Sequence, residues 1–362
     1  VGECRDRLRH ETSSAVTKRI VTEVDLVDLQ AKRAAVDAAW FAGLELVGEP
    51  EPVPPVPAAG AWLSGPAHDA ATILKWGAFR GSPATYARVW ADKDRANQLG
   101  LFAMAAVTAT GWDGVLDVAI GGPSDWASAA TGGWDSTWRT QCRKALSLWG
   151  KLRGLHLSMA HEFNNAPSDG SGYAWKVYAK DQANFRQAWA RWARIVREEM
   201  ATKGSAVKIV LSCNSDTNGG WSLAGGLPDP STFDILGVDP YNFWPSIPDQ
   251  AAWDATKNAM KGDVPRGIRS WVKLAEKLGK PLAVPEWGLA PAGDFPVDTP
   301  FYVRAMHEFF ASIAPTDPYN PGPGELAGEA FFNAWPRGQI FPGGANANAR
   351  AAYLALKWGV AP

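Results

Sequence analysis

From residue 61 onward, short apolar runs rich in β-branched and aromatic residues alternate with longer stretches of helical periodicity, and this alternation constrains the chain more than any other feature. It is the pattern of βα units laid around a parallel sheet. Residues 73–79, 101–107, 155–160, 208–212, 235–238, 282–284 and 330–334 read as strands, and 86–90 or 115–120 supplies an eighth. Helical stretches at 136–152, 182–200, 267–278 and 300–314 separate most of them. About 300 residues in this rhythm suit a (β/α)₈ TIM barrel better than an open doubly wound sheet. No Gly-rich dinucleotide fingerprint or P-loop follows an early strand, so nothing speaks for a nucleotide.

The barrel is expected to fill residues 61–362. Ahead of it, Ile20, Val24, Val27, Ala31, Ala34, Ala38 and Phe41 recur at steps of four and three. Residues 1–47 therefore read as a helical segment with the a/d spacing of a coiled-coil seam. Such a stripe either packs on the main domain or supports self-association and attachment to an assembly. Residues 48–60 carry Pro at 50, 52, 54, 55 and 57 and read as a Pro-rich linker, because repeated proline removes backbone donors and fixes φ.

Composition removes several function classes. With 36 Lys+Arg against 37 Asp+Glu, the formal charge is −1, so the basic excess of a nucleic-acid binder is absent. The longest uncharged apolar stretch, residues 99–111, is too short for a membrane span. The first residues are polar and charged, which is not the pattern of an intact secretory signal. Cys4, Cys142 and Cys213 match no zinc or redox spacing and leave disulfide status open. The five His form neither His-x-His nor His-Glu-x-x-His, so no metal site and no cofactor is expected.

In a barrel of this type the chemistry sits where strands end, because the βα loops there form the active face. The polar residues after the candidate strands are His161, Glu162, Asn164 and Asn165, then Asn214 and Ser215, Asp239 and Tyr241, Glu286 and Trp287, and Asn333 and Trp335. Glu162 and Glu286 end otherwise apolar strands. A carboxylate there needs a reason, since burying it unpaired is costly. Two carboxyls facing one another across a pocket supply the acid and the nucleophile of glycoside hydrolysis, whereas a rim salt bridge, for instance to Arg80, is the plain structural explanation. The chain also holds 19 Trp against 7 Tyr. Aromatic faces suit the C–H faces of pyranose rings, so Trp175, Trp244, Trp287 and Trp335 read as cleft residues, while Trp62, Trp76, Trp90, Trp189, Trp192 and Trp271 read as packing.

The stretches KWGAFRGSPATYARVWAD, HLSMAHEFNN, ILGVDPYNFW and KPLAVPEWGLA, taken in order, resemble the family 26 glycoside hydrolases, within the wider clan of retaining (β/α)₈ glycosidases. The resemblance runs over residues 74–335. It implies that Glu162 is the general acid/base and Glu286 the nucleophile of a double displacement, with carboxyls roughly 5 to 5.5 Å apart. It also implies that Tyr241 bonds the nucleophile, that His161 contacts the sugar or the nucleophile, and that Trp335 forms the floor of the reaction subsite. Asn165 and Asn214 complete the expected substrate contacts. Here the His-Glu-x-Asn element continues as NNAPSDGSGYAW, without the Gly and Trp-rich stretch common in family 26 mannanases, which sets the mannan-specific subsite apart. The expected activity is that of an endo-acting retaining β-glycosidase on a polysaccharide, mannan first, with mixed-linkage glucan, xylan or a bacterial envelope glycan behind it. The competing readings are a non-catalytic carbohydrate-binding barrel and a depolymerase tethered to a virion tail or cell-surface assembly. The expected location is extracellular or virion-associated.

Overall fold

The computed structural model describes residues 61–166, 173–242, 246–289, 297–341 and 343–359. The helical segment expected at 1–47, the linker at 48–60 and Trp244 lie outside the described residues, as does Cys4. Eight parallel strands close into a barrel: β1 Ser64–Ala67, β2 Tyr86–Ala91, β3 Val115–Ile120, β4 Gly154–Met159, β5 Val207–Asn214, β6 Ile235–Asp239, β7 Leu282–Trp287 and β8 Leu326–Phe332. Each pairs with its sequence neighbours, and β8 returns to β1. The (β/α)₈ barrel expected from the sequence is the fold. Among the described residues no helix is long and apolar enough to cross a membrane.

Two of the expected strands are helices. Residues 73–79 lie in the helix Ala70–Arg80, and 101–107 lie almost wholly in the helix Phe102–Ala109. A short apolar run does not by itself distinguish a strand from a buried helix. Capping decides the first case. Asp69 accepts a hydrogen bond from the Thr72 amide at 2.9 Å, and Gly81 ends the helix in the left-handed region at φ 75°. Both 86–90 and 115–120 are strands, so the two alternatives for the eighth position are β2 and β3. The strand with no apolar run to announce it is β1, whose sequence is SGPA. β8 begins at Leu326, four residues before the expected start at 330.

Many of the described tryptophans belong to the apolar core. Trp62, Trp76, Trp138, Trp189, Trp192, Trp271, Trp287 and Trp358 are all fully buried. Inside the barrel, small apolar clusters such as Val210, Ile235, Ala283 and Ala327 are joined by a buried polar group around Arg88. Arg88 on β2 is completely buried, with Nη1 at 2.8 Å from Asp117 Oδ1 on β3 and Nη2 at 4.0 Å from Asp239 Oδ2 on β6. Tyr86 donates to Asp117 Oδ2 at 3.1 Å. Burial pushes the Asp117 carboxyl up to about 6 against the pull of Arg88. Arg88 thus forms a cationic plug beneath the end of the barrel where the strands terminate.

Candidate active site

Two local irregularities aim the two glutamates. On β7, the three-residue step from Val284 to Trp287 matches the two-residue step from Glu329 to Phe331 on β8, so β7 carries one extra residue. Pro285 sits within the bulge, where its missing N–H costs no ladder bond. The bulge reverses the in–out alternation. Glu286 faces the barrel mouth, and Trp287 turns outward among Tyr302, Phe310, Phe331 and Trp358, its indole N–H donating to Glu329 at 2.6 Å. The Arg partner of Glu286 is Arg88, not Arg80, whose guanidinium is taken up by Ser64 and by the Ser82 and Pro83 carbonyls.

Beyond β4 the chain turns sharply. Ala160 and Glu162 both have φ 53°, a left-handed conformation that costs a non-glycine residue roughly 1–3 kcal/mol. The turn stays stitched to its neighbours, because the Ala160 amide donates to Ile120 O at 2.7 Å and the Glu162 amide to Ser212 O at 2.9 Å. Asn164 locks it from below. It is fully buried, donates to Asn214 O and Thr217 Oγ1, and accepts from the Asn214 amide. Lys176 closes it from the side, its ammonium donating to the Glu162 main-chain carbonyl at 2.8 Å.

The two carboxyls line one cavity of about 360 Å³, together with Trp90, Asp92, Asn165, Tyr173, Asn214, Tyr241, Phe332, Ala334 and Trp335. Their surroundings differ. Glu286 Oε1 accepts from Trp90 Nε1 at 2.8 Å and lies 2.8 Å from Arg88 Nε, while Oε2 accepts from Tyr241 OH at 2.8 Å. Three donors, one of them cationic, suit a carboxylate anion. Glu162 has one neutral donor, Asn214 Nδ2 at 2.7 Å from Oε1, and the Lys176 ammonium at 4.0 Å from Oε2. Burial raises the Glu162 pKa, Lys176 opposes that shift, and the charge of Glu286 adds to it. Glu286 is thus fixed by three donors while Glu162 is biased towards its acid form, an inequality that suits acid–nucleophile chemistry.

The remaining expected residues separate into two groups. Asn165, Asn214, Tyr241 and Trp335 are on the cavity wall, with Trp335 about half exposed (49%) at its rim. His161 and Trp175 stand behind the wall and are buried. Trp175 donates to the His161 carbonyl at 3.0 Å and stacks at 4.5 Å on Tyr173, which faces the cavity in its place. His161 lies against Asp92, with Nδ1 at 3.2 Å from Oδ2, and burial holds its imidazole well below the usual value, hence neutral. Trp287 lies in the helix layer for the reason given above, and Asn333 is spent on the Ile340 and Phe341 backbone. Arg88, Trp90, Asp92, Tyr173 and Lys176 were absent from the expected set. Trp90 belongs to the cleft rather than to the packing expected for it.

Two tests arise from this electrostatic arrangement. Asp92 is a third carboxyl on the wall; burial, and then Glu286, push it up to about 7. A carboxyl whose folded pKa exceeds its unfolded value of about 3.9 stabilises the fold fully below that value, and the contribution is lost as pH rises through 7. Asp92→Asn should match the parent in thermal midpoint at pH 4 and exceed it by several degrees at pH 8; equal midpoints at pH 8 would contradict this placement. Lys176 is itself buried, which lowers its pKa, while Glu162 leads the carboxylates that raise it again. In Lys176→Met the opposing charge is gone, so Glu162 should keep its proton to higher pH. The alkaline limb of the kcat/KM profile, which reports the free enzyme's acid, should move upward; a limb that stays in place would remove Lys176 from the tuning of Glu162.

No family model matches this chain, and no curated protein matches it. Solved structures do. One is GH26C from a Muricauda species, 14% identical, covering 82% of this chain and 86% of that one with a TM-score of 0.52. The fold is shared with GH26C. An engineered protein is also similar, at 17% identity and a TM-score of 0.51, covering 82% of this chain and 70% of its own. Identities this low speak for the barrel architecture, and the chemistry rests on the residues described above.

Proposed function

We propose that this chain is a retaining, endo-acting glycoside hydrolase that cleaves β-linkages in a polysaccharide. The observation that carries the proposal is the unequal treatment of two carboxyls on one cavity wall. Glu286 is fixed by Arg88, Trp90 and Tyr241, while Glu162 is partly buried with a single neutral donor. In this reading Glu286 attacks the anomeric carbon while Glu162 gives its proton to the departing glycosidic oxygen. Glu162, now a carboxylate, then takes a proton from water as that water displaces Glu286, and the configuration is retained. Trp90 and Arg88 keep the nucleophile oriented, and Asn214 orients the acid. The family 26 resemblance of the HLSMAHEFNN and KPLAVPEWGLA stretches, together with the barrel shared with GH26C, supports the same assignment.

Mannan is the first substrate to try, followed by mixed-linkage glucan, xylan and bacterial envelope glycans. The initial test is a screen of the full chain against this panel with product sizing, where a falling polymer length with several oligosaccharide products is expected. An inert chain across the panel, with saturable glycan binding, would favour a carbohydrate-binding barrel. Trp335 offers a check on binding. Its exposed face at the cavity rim is the expected platform for a sugar ring, so Trp335→Ala should raise KM about tenfold, equivalent to about 1.4 kcal/mol, with a smaller effect on kcat. An unchanged KM would take the ring off that face.

A further inference from the structure

At the opposite end of the barrel, where the strands begin, lies a second cavity of about 380 Å³, as large as the cleft. Its wall is made by the first residues of β3, β4, β5, β6 and β8 and by the turn around Tyr319. Three cations line it, Arg153, Lys208 and Lys280, and none is ion-paired with a carboxylate among the described residues. Aromatic rings orient two of them instead. Arg153 Nη1 donates to Tyr319 OH at 2.9 Å with the guanidinium 4.9 Å from the ring centroid, and Lys280 Nζ lies 5.5 Å from the centre of the Phe233 ring. Asp234, the one carboxylate in the lining, is already engaged by Arg197 Nη2 at 3.1 Å and by the Ile209 amide at 2.8 Å. A cavity of this size, lined by three cations that no described carboxylate approaches within ion-pair distance, favours an anion.

The buried wall adds a second, independent feature. His156 on β4 is more than nine-tenths buried and lines the cavity. Its Nδ1 faces Tyr86 OH at 3.5 Å. That hydroxyl already donates to Asp117, so the imidazole proton belongs on Nδ1, and Nε2 keeps a free lone pair with no partner among the described residues. Burial, reinforced by the charge of Lys208, pulls this imidazole down to about 3, so it is neutral at physiological pH.

We propose that the cavity is a binding site for a phosphate-type oxyanion: Arg153, Lys208 and Lys280 take its charged oxygens, and His156 Nε2 accepts the remaining P–O–H proton. The proposal is independent of the chemistry at the other end of the barrel. Inorganic phosphate, titrated into the full chain at constant ionic strength and followed by calorimetry, should bind saturably at one site per chain in the millimolar range or tighter. Sulfate, which carries no proton at neutral pH, should bind more weakly. Lys208→Gln combined with Lys280→Gln should weaken phosphate at least tenfold while leaving thermal stability in phosphate-free buffer and glycan cleavage unchanged; each single variant should show a smaller loss. Absence of saturable binding, sulfate binding as tight as phosphate, or undiminished affinity in the double variant would overturn the assignment.

Discussion

Replacing Glu286 with alanine is expected to lower kcat/KM on a cleavable polysaccharide by roughly 10⁴-fold or more, the scale on which loss of a covalent nucleophile is felt. The fold should survive, because the change removes a nearly buried acid and leaves Arg88 paired with Asp117 at 2.8 Å. The variant also makes a sharper test possible. Alanine leaves a void beside Arg88, Trp90 and Tyr241, the donors that held the carboxylate. A small anion such as azide can occupy that void and attack the anomeric carbon from the nucleophile's side. Azide should therefore restore turnover and give a glycosyl azide of inverted configuration. A variant that cleaves as well as the parent would remove Glu286 from the mechanism.

Glu162→Gln is expected to cost roughly 10²–10⁴-fold on natural glycans, the usual contribution of general acid–base catalysis. The side-chain shape and the Asn214 contact are conserved in this change, so the loss reports the proton. Two signatures should accompany it. Aryl glycosides with good leaving groups need little protonation and should lose far less in the first step. The alkaline limb of the pH profile should also disappear, because in the parent it marks the pH at which burial and the Glu286 charge no longer keep Glu162 protonated. An equal loss on every leaving group would assign Glu162 a structural role.

The distribution of legible and illegible features follows from where the information lies in the chain. The barrel rhythm and the two glutamates could be read because each depends on local sequence: an apolar run, then a polar strand end. Residues 73–79 and 101–107 misled because amphipathic helices and strands share short apolar runs, and the cap formed by Asp69 and Gly81 lies outside the run itself. β1 was silent because SGPA owes its position to pairing with β2 and β8 rather than to its own composition. Trp287 was misplaced by parity. In a regular strand the position next to an inward Glu faces outward, and without the bulge at Pro285 the sequence does not say which of the two faces in. Arg88 and Trp90 were recoverable, since both share the inward face of β2 at a spacing of two. Lys176 and Tyr173 were not, because they reach the site through a loop return that no periodicity encodes.

If Glu162 and Glu286 act as acid/base and nucleophile in a double displacement, cleavage retains the anomeric configuration. Proton NMR of the products in the first minutes of cleavage, on whichever polysaccharide the panel identifies, tests it most directly. The β-anomer of the new reducing end is expected first, followed by mutarotation towards equilibrium. First appearance of the α-anomer would mean a single inverting displacement and would rule out Glu286 as a covalent nucleophile.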